Sequence, residues 1–147
     1  MLKEGDKAPA FSAPDQDNNM HSLDDYKGEW LLLYFYPRDN TPGCTKEACT
    51  FRDMYKTFDG IVNIVGASAD SAESHKGFAD KHELPFTLLS GKDNSLVQDY
   101  GADGLILKKR TSFLIDPEGV IRKVYKNVKP LDHAGQILKD VKELKSA

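Results

Sequence analysis

Apolar positions along the chain fall into runs whose spacing alternates between that of strands and that of helices. Residues 30–36, WLLLYFY, are continuously apolar and aromatic, the pattern of a strand buried on both faces, and Pro37 ends the run. Beyond a short polar loop, Ala48, Phe51, Met54, Tyr55 and Phe58 recur at spacings of three and four, which predicts a helix with one apolar face running to about residue 59. Thr41 suits the N-cap of that helix and Pro42 its first position, where proline's missing N–H would have no partner anyway. The β-branched run 61–67, IVNIVGA, predicts a second buried strand, and strand, helix, strand implies a right-handed parallel crossover. Residues 71–82 read as a helix capped by Asp70 or Ser71, followed by a short strand at 86–89 and a helix at 95–100. The runs 111–115 (TSFLI) and 120–124 (VIRKV) flank the turn DPEG and predict an antiparallel hairpin. Asp132 is placed to cap a last helix whose Ile137, Leu138, Val141 and Leu144 form its buried stripe. Ahead of these elements, residues 10–13 and 20–22 flank the turn-rich DQDNN and predict a hairpin covering one sheet edge, with one helical turn at 23–26.

Without the leading hairpin and the helix/strand insertion in the middle, the order is βαβ, then α, then ββα. That order predicts an α/β chain with a thioredoxin-like fold, and 147 residues predict one domain, 1–147, long enough to bury a core. Charge adds little: 29% charged residues and a net charge of −3, with basic and acidic residues interleaved, predict no nucleic-acid partner. The opening MLKEGDKAPAF lacks an apolar stretch of signal-peptide length and no run approaches a membrane span, so a cytoplasmic, reducing compartment is expected, with no membrane partner. In such a compartment two cysteines are more often catalytic or redox-sensing than a structural staple.

Both cysteines lie in one stretch, residues 36–49, YPRDNTPGCTKEAC. Cys44 falls in the first turn of the predicted helix, where unpaired N–H groups and the positive end of the dipole favour an anion, which for cysteine is the thiolate. A thiol with pKa near ~8.5 is only roughly 3% ionised at pH 7, whereas a pKa of ~6 makes it about 90% thiolate, which separates a bystander from a nucleophile. Cys49 follows five residues later. Across five residues of ideal helix the Cα atoms are roughly 8 to 9 Å apart, beyond the ~7 Å reach of a disulfide, so pairing the two thiols requires the first turns to unwind. Arg110 opens the TSFLI strand, which in this arrangement starts near the N-terminus of the first helix, so its guanidinium can reach the thiol; a solvated charge run, Lys108-Lys109-Arg110, is the alternative. The Thr41 hydroxyl is able to cap the helix amides and to bond an anion. His21, His75, His82 and His133 are scattered without ligand-like spacing and no glycine-rich phosphate loop is present, so neither a metal nor another cofactor is expected.

The pattern Pro37, Thr41, Cys44 (P-x-x-x-T-x-x-C) resembles the peroxidatic motif of peroxiredoxins. The fuller string TPGCTKEACTFRD, with Cys49, is similar to the Q-type group, also called bacterioferritin comigratory proteins, and the opening GDKAPAFSAPDQDN and the later TSFLIDPEGVI extend the resemblance over nearly the whole chain. The resemblance implies a thiol-dependent peroxidase acting on hydrogen peroxide and alkyl hydroperoxides. Cys44 would be the peroxidatic residue and Cys49 the resolving residue of an intramolecular disulfide, which a thioredoxin-like reductant recycles. It further implies that Arg110 lowers the thiol pKa and holds the peroxide oxygens, that Thr41 hydrogen-bonds the peroxide, that Pro37 shields the thiolate from water, that Glu47 orients nearby groups, and that the protein is a monomer. Arg38 beside the motif reads as a surface residue. The sequence departs from the group at 101–109, GADGLILKK, where many Q-type members have a longer lysine- and glycine-rich insertion, so substrate range is open at that point.

Two other readings remain compatible with the residues alone. A dithiol-disulfide oxidoreductase on the same fold would more usually present C-x-x-C. A non-enzymatic redox-switched binding module would use Cys44 oxidation only to expose a surface.

Overall fold

The run 31–35 is buried along its whole length because it forms the middle strand of a five-stranded sheet. In the computed structural model, which describes residues 2–101, 110–126 and 128–146, the elements are β1 (Ser12–Pro14), β2 (Met20–Ser22), a 3-10 turn (Leu23–Tyr26), β3 (Leu31–Phe35), α1 (Pro42–Asp53), α2 (Tyr55–Phe58), β4 (Asn63–Ser68), α3 (Ala72–His82), β5 (Thr87–Ser90), α4 (Leu96–Asp99), β6 (Thr111–Ile115), β7 (Ile121–Tyr125) and α5 (His133–Ser146). The sheet order is β5-β4-β3-β6-β7, with β3, β4 and β5 parallel and β6 and β7 antiparallel to their neighbours. This is the thioredoxin-like arrangement expected from the element order, with boundaries shifted by a residue or two.

The two-residue period of β3 sends its side chains into two different cores. Leu32 and Tyr34 face a layer formed with Phe51 of α1, Phe78 of α3 and Ile137 and Val141 of α5. Leu31, Leu33 and Phe35 face Phe11, Leu96, Val97, Tyr100 and Phe113. Helix-bearing layers on both faces explain why this strand carries no charged residue.

The first helix differs from its sequence-based expectation. It stops at Asp53, and after Met54 (φ −99°, ψ 4°) the chain restarts as the single turn α2. The break lets Phe58 turn back against Phe51, ring centroids 6.1 Å apart, and leaves Tyr55 exposed rather than on the apolar face. Spacings of three and four are as compatible with two short helices as with one long one, and packing chooses between them.

Both open edges of the sheet are occupied, which removes the unpaired backbone groups that would otherwise template aggregation. On the β7 side, the Gly5 and Ala8 amides donate to the Ile121 and Gly119 carbonyls, and the Ile121 amide donates back to Asp6. The hairpin β1–β2 lies at the β5 side, where a single side chain replaces a strand: Gln16 Nε2 donates to the Phe86 carbonyl at 3.0 Å while Gln16 Oε1 accepts from the Leu88 amide at 2.9 Å. Gln16→Ala should lower the stability to urea unfolding by about 1–2 kcal/mol, since two partly buried backbone groups lose their partner. Gln16→Glu should cost at least as much at neutral pH, because the carboxylate keeps the acceptor but presents no donor to Phe86.

Candidate active site

The antiparallel register of β3 and β6 pairs Phe35 with Thr111, so the residue before β6 stands beside the residue after β3, at the point where the chain leaves the sheet for α1. Arg110 is therefore delivered to the N-terminus of α1 by strand pairing. Cys44 is the third residue of that helix, 2% exposed, and Arg110 Nη2 lies 3.3 Å from its sulfur. Cys44 and Cys49 are both free thiols on this one helix, Cys44 buried and Cys49 half-buried.

The helix begins where the sequence suggested, with Thr41 as N-cap and Pro42 as first residue, yet the threonine hydroxyl does not cap. It donates instead to the Arg38 carbonyl at 2.9 Å. Asn40, at φ 63°, turns the loop so that the hydroxyl faces back toward the preceding residues. Two consequences follow. Among the described residues the first-turn amides have no side-chain acceptor, and the Thr41 oxygen, its proton committed to Arg38, has lone pairs available to accept from an incoming hydroxyl. Pro37 is half-buried at the start of this loop, and Arg38 is exposed, as its surface reading requires.

Gly43 was not singled out by sequence reasoning, and it decides whether the arginine fits. A Cβ at this position would lie 2.9 Å from Arg110 Cζ and closer still to Nη2. A glycine-proline pair beside a first-turn cysteine is the signal that could have been read, since neither residue is favoured inside a helix except for a close approach or a helix start.

Glu47, one turn below Cys44, is fully buried, and its Oε1 lies 3.7 Å from Arg110 Nε. That distance is ion-pair range but too long for a hydrogen bond, and neither carboxylate oxygen has a hydrogen-bond partner among the described residues. Burial pushes its pKa up to about 8, with the Arg110 charge acting the other way. At neutral pH Glu47 is thus mainly protonated, and the guanidinium charge is left to the sulfur. The nearby Tyr34 hydroxyl is held well above the ordinary phenol range, first by burial and then by the Glu47 and Cys44 charges, so it stays a neutral phenol.

The loop 37–41 is secured by a second buried group that the scattered histidine spacing did not reveal. Asp39 accepts from Tyr36 Oη at 2.6 Å, Ser74 Oγ at 2.7 Å and His75 Nδ1 at 2.7 Å. Burial alone would raise the Asp39 pKa, but the hydrogen bond and charge of His75, with Tyr36 and Ser74, hold it below the ordinary carboxylate value. His75 Nε2 lies 2.9 Å from the Leu89 carbonyl, so both ring nitrogens are engaged. Asp39, Asp70 and His75 bring three ligand-type atoms within 4.8 Å of one another, but the imidazole has no nitrogen left for a metal. Spacing gave one hint of its place: His75 shares a helix face with Phe78 and Ala79, so it belongs to the core. His133 is also buried, bonded through Nε2 to Ser112 Oγ at 2.8 Å, and burial lowers its pKa to about 4. The 101–109 link, apart from Gly101, lies outside the described residues.

A buried helix-start thiol with an arginine at its sulfur, set on a thioredoxin-like sheet, is equipped for thiol redox chemistry, and the chain's relatives are named as peroxiredoxins. Residues 4–124 match the model of the AhpC/TSA family, and the chain belongs to this family. It is 46% identical to the protein of Coxiella burnetii named peroxiredoxin bcp, covering 93% of this chain and 97% of that one. It is 42% identical to the chloroplastic peroxiredoxin Q of Sedum lineare, covering 98% of this chain and 80% of the relative. Among solved structures, peroxidoxin BcpB of Mycobacterium tuberculosis superposes with a TM-score of 0.89 at 32% identity, over 97% of this chain and 98% of that one. A cysteine-to-serine mutant of Xylella fastidiosa PrxQ superposes with a TM-score of 0.91 at 29% identity, over 99% and 98%. The resemblance read from the TPGCTKEAC stretch is thereby established as kinship, and the chain is a peroxiredoxin-type oxidoreductase.

Gly43→Ala should leave thermal stability within a few degrees of the parent, because only the flexible end of Arg110 must move, yet slow the reaction of Cys44 with peroxide about tenfold or more by withdrawing the guanidinium. A melting curve and a stopped-flow trace separate the two effects. Glu47 supplies a pH test. Its folded-state pKa lies above the ordinary 4.5, so its contribution to stability is complete below about 4.5 and is lost as pH rises through about 8. Urea titrations from about pH 5 to about 9 should find the parent losing stability as pH rises toward about 8 and levelling above it, with that fall absent in Glu47→Gln. The peroxide rate at high pH should likewise be greater in Glu47→Gln, whose neutral amide does not draw Arg110 from the sulfur.

Proposed function

We propose that Cys44 is the peroxidatic residue and Cys49 the resolving residue of this peroxidase, with Arg110, Thr41 and Pro37 completing the site. The observation that supports this reading most directly is the 3.3 Å approach of Arg110 Nη2 to the sulfur of a first-turn cysteine. The thiolate attacks one peroxide oxygen; an S–O bond forms, the O–O bond breaks, and the departing oxygen takes a proton from solvent to leave as water or an alcohol. Arg110 and the first-turn amides stabilise the charge that develops along this line, and Thr41 accepts from the peroxide hydroxyl, which orients the molecule. Pro37 limits water at the sulfur.

The Cys49 thiolate then attacks the Cys44 sulfenic sulfur; an S–S bond forms, the S–O bond breaks, and the departing hydroxyl takes up the proton that Cys49 gave up and leaves as water. A thioredoxin-like dithiol, the reductant that the family implies, restores both thiols with two electrons and two protons. The 31% identical bacterioferritin comigratory protein of Xanthomonas campestris, which superposes with a TM-score of 0.83 over 90% of both chains, is described as reducing alkyl peroxides, which supports alkyl hydroperoxides beside hydrogen peroxide as substrates here. We further read the chain as a single domain acting as a cytoplasmic monomer; no helix among the described residues is long and apolar enough to cross a membrane.

Both thiols lie within the helix Pro42–Asp53, so the disulfide requires its first turns to open. Cys44→Ser should abolish peroxide reduction, whereas Cys49→Ser should keep one fast reaction per molecule and accumulate sulfenic acid; loss of that first reaction in Cys49→Ser would reverse the assignment. Amide hydrogen exchange over residues 42–50 should rise sharply on disulfide formation while β3 changes little, and equal protection in the two forms would point to an intermolecular partner for Cys49.

A further inference from the structure

Among residues 37–41, which carry Pro37 and Thr41, Asp39 is the single buried position, 5% exposed between the exposed Arg38 and Asn40. Its carboxylate is tied by Tyr36, Ser74 and His75, and its own amide donates to Asp70 Oδ2 at 2.7 Å. The His75 ring, fully buried on α3, is the member that crosses the layer, joining Asp39 of the loop to the Leu89 carbonyl of β5. Two residues after Asp39, Thr41 has its hydroxyl oriented by the Arg38 carbonyl, and both Arg38 and Thr41 flank the anchored segment without a buried anchor of their own.

We propose that His75 is a positioning residue for the peroxide step: by bridging Asp39 to Leu89 it holds the 37–41 loop, and with it the Thr41 oxygen, in place both before reaction and while the helix beyond unwinds. The imidazole touches neither the sulfur nor the peroxide. It acts through Asp39, so its effect falls on how peroxide is oriented and not on the nucleophilicity of the sulfur, which Arg110 and the helix start govern. This rests on the reading of Cys44 as peroxidatic and Thr41 as peroxide-binding. It adds a residue of α3, remote in sequence from the cysteine motif, to the machinery of that step.

The test compares two reagents on one thiol. In a Cys49→Ser background, where each molecule reacts once, Cys44 is treated with hydrogen peroxide, which needs the loop, and with iodoacetamide, which does not. His75→Phe, which removes both hydrogen bonds, should slow the peroxide reaction about tenfold while iodoacetamide alkylation stays within about twofold of the background protein. His75→Asn, too short to reach Asp39 and Leu89 together, should slow the peroxide reaction at least about threefold, and it carries the test alone if the phenylalanine variant does not fold. The combined Asp39→Asn/His75→Asn variant should be no slower than the slower single variant, because both act through one bridge. Peroxide rates within about twofold of the background in the folded His75 variants, a parallel fall with both reagents, or additive losses in the combined variant would each overturn the proposal. A background protein that itself lacks a fast peroxide reaction would instead remove the assignment of Cys44.

Discussion

The contact between the Arg110 guanidinium and the Cys44 sulfur is the constraint around which the rest of this structure is arranged. A thiol at the start of a helix gains from unpaired amides and the dipole, but both effects are modest and short-ranged, and a full positive charge at the sulfur adds to them. Bringing that charge into a half-buried site has requirements of its own. The guanidinium must be delivered by a rigid element, it must have room, and no stronger anion may claim it. Pairing of β6 against β3 meets the first requirement, Gly43 the second, and the protonated state of buried Glu47 the third. A buried acid would usually be neutralised by pairing; here the 3.7 Å separation from Nε leaves burial as the larger influence on Glu47.

On the proposed pairing of Cys44 with Cys49, the same helix has to be stable enough to hold the thiol and loose enough to release it. Its buried residues are Cys44, Glu47, Ala48 and Phe51, so opening the first turns exposes Ala48 and a protonated glutamic acid but no large apolar side chain. Phe51, stacked on Tyr34 with ring centroids 4.9 Å apart and set edge-on to His133, lies just past Cys49 and fastens the remainder of α1 to the sheet and to α5. Each backbone hydrogen bond given up is worth about 1 kcal/mol net, against roughly 3–5 kcal/mol for removing one partner from a fully buried charged pair. The weak section of the chain therefore lies between two strong ones, Asp39 with His75 on one side and Phe51 on the other.

Sequence periodicity determined a great deal here. A short apolar and aromatic run ended by proline favours an inner strand, and a proline after a threonine favours a helix start, so β3 and the helix-start position of Cys44 follow from local chemistry. The TSFLI strand, the DPEG turn closed at Gly119 (φ 83°) and the apolar stripe of α5 follow in the same way. These features depend on side-chain pattern and backbone preference within a few residues of each other, and such information is written along the chain.

What tertiary structure alone decided involves groups far apart in sequence. Nothing local to Met54 marks the end of α1; the break is set by where Phe58 meets Phe51. Nothing in TPGC reveals that the Thr41 hydroxyl turns to Arg38, that Gly43 is the clearance for a guanidinium 67 positions later, or that Glu47 is sealed from water and keeps its proton. Asp39 in an exposed-looking loop and His75 on a helix face were each legible as a residue, but not as a pair, since 36 positions separate them. Local sequence dictates which atoms are available and which backbone shapes they favour. Strand pairing and the exclusion of water decide which of them meet and in which protonation state, because both depend on the whole sheet being assembled.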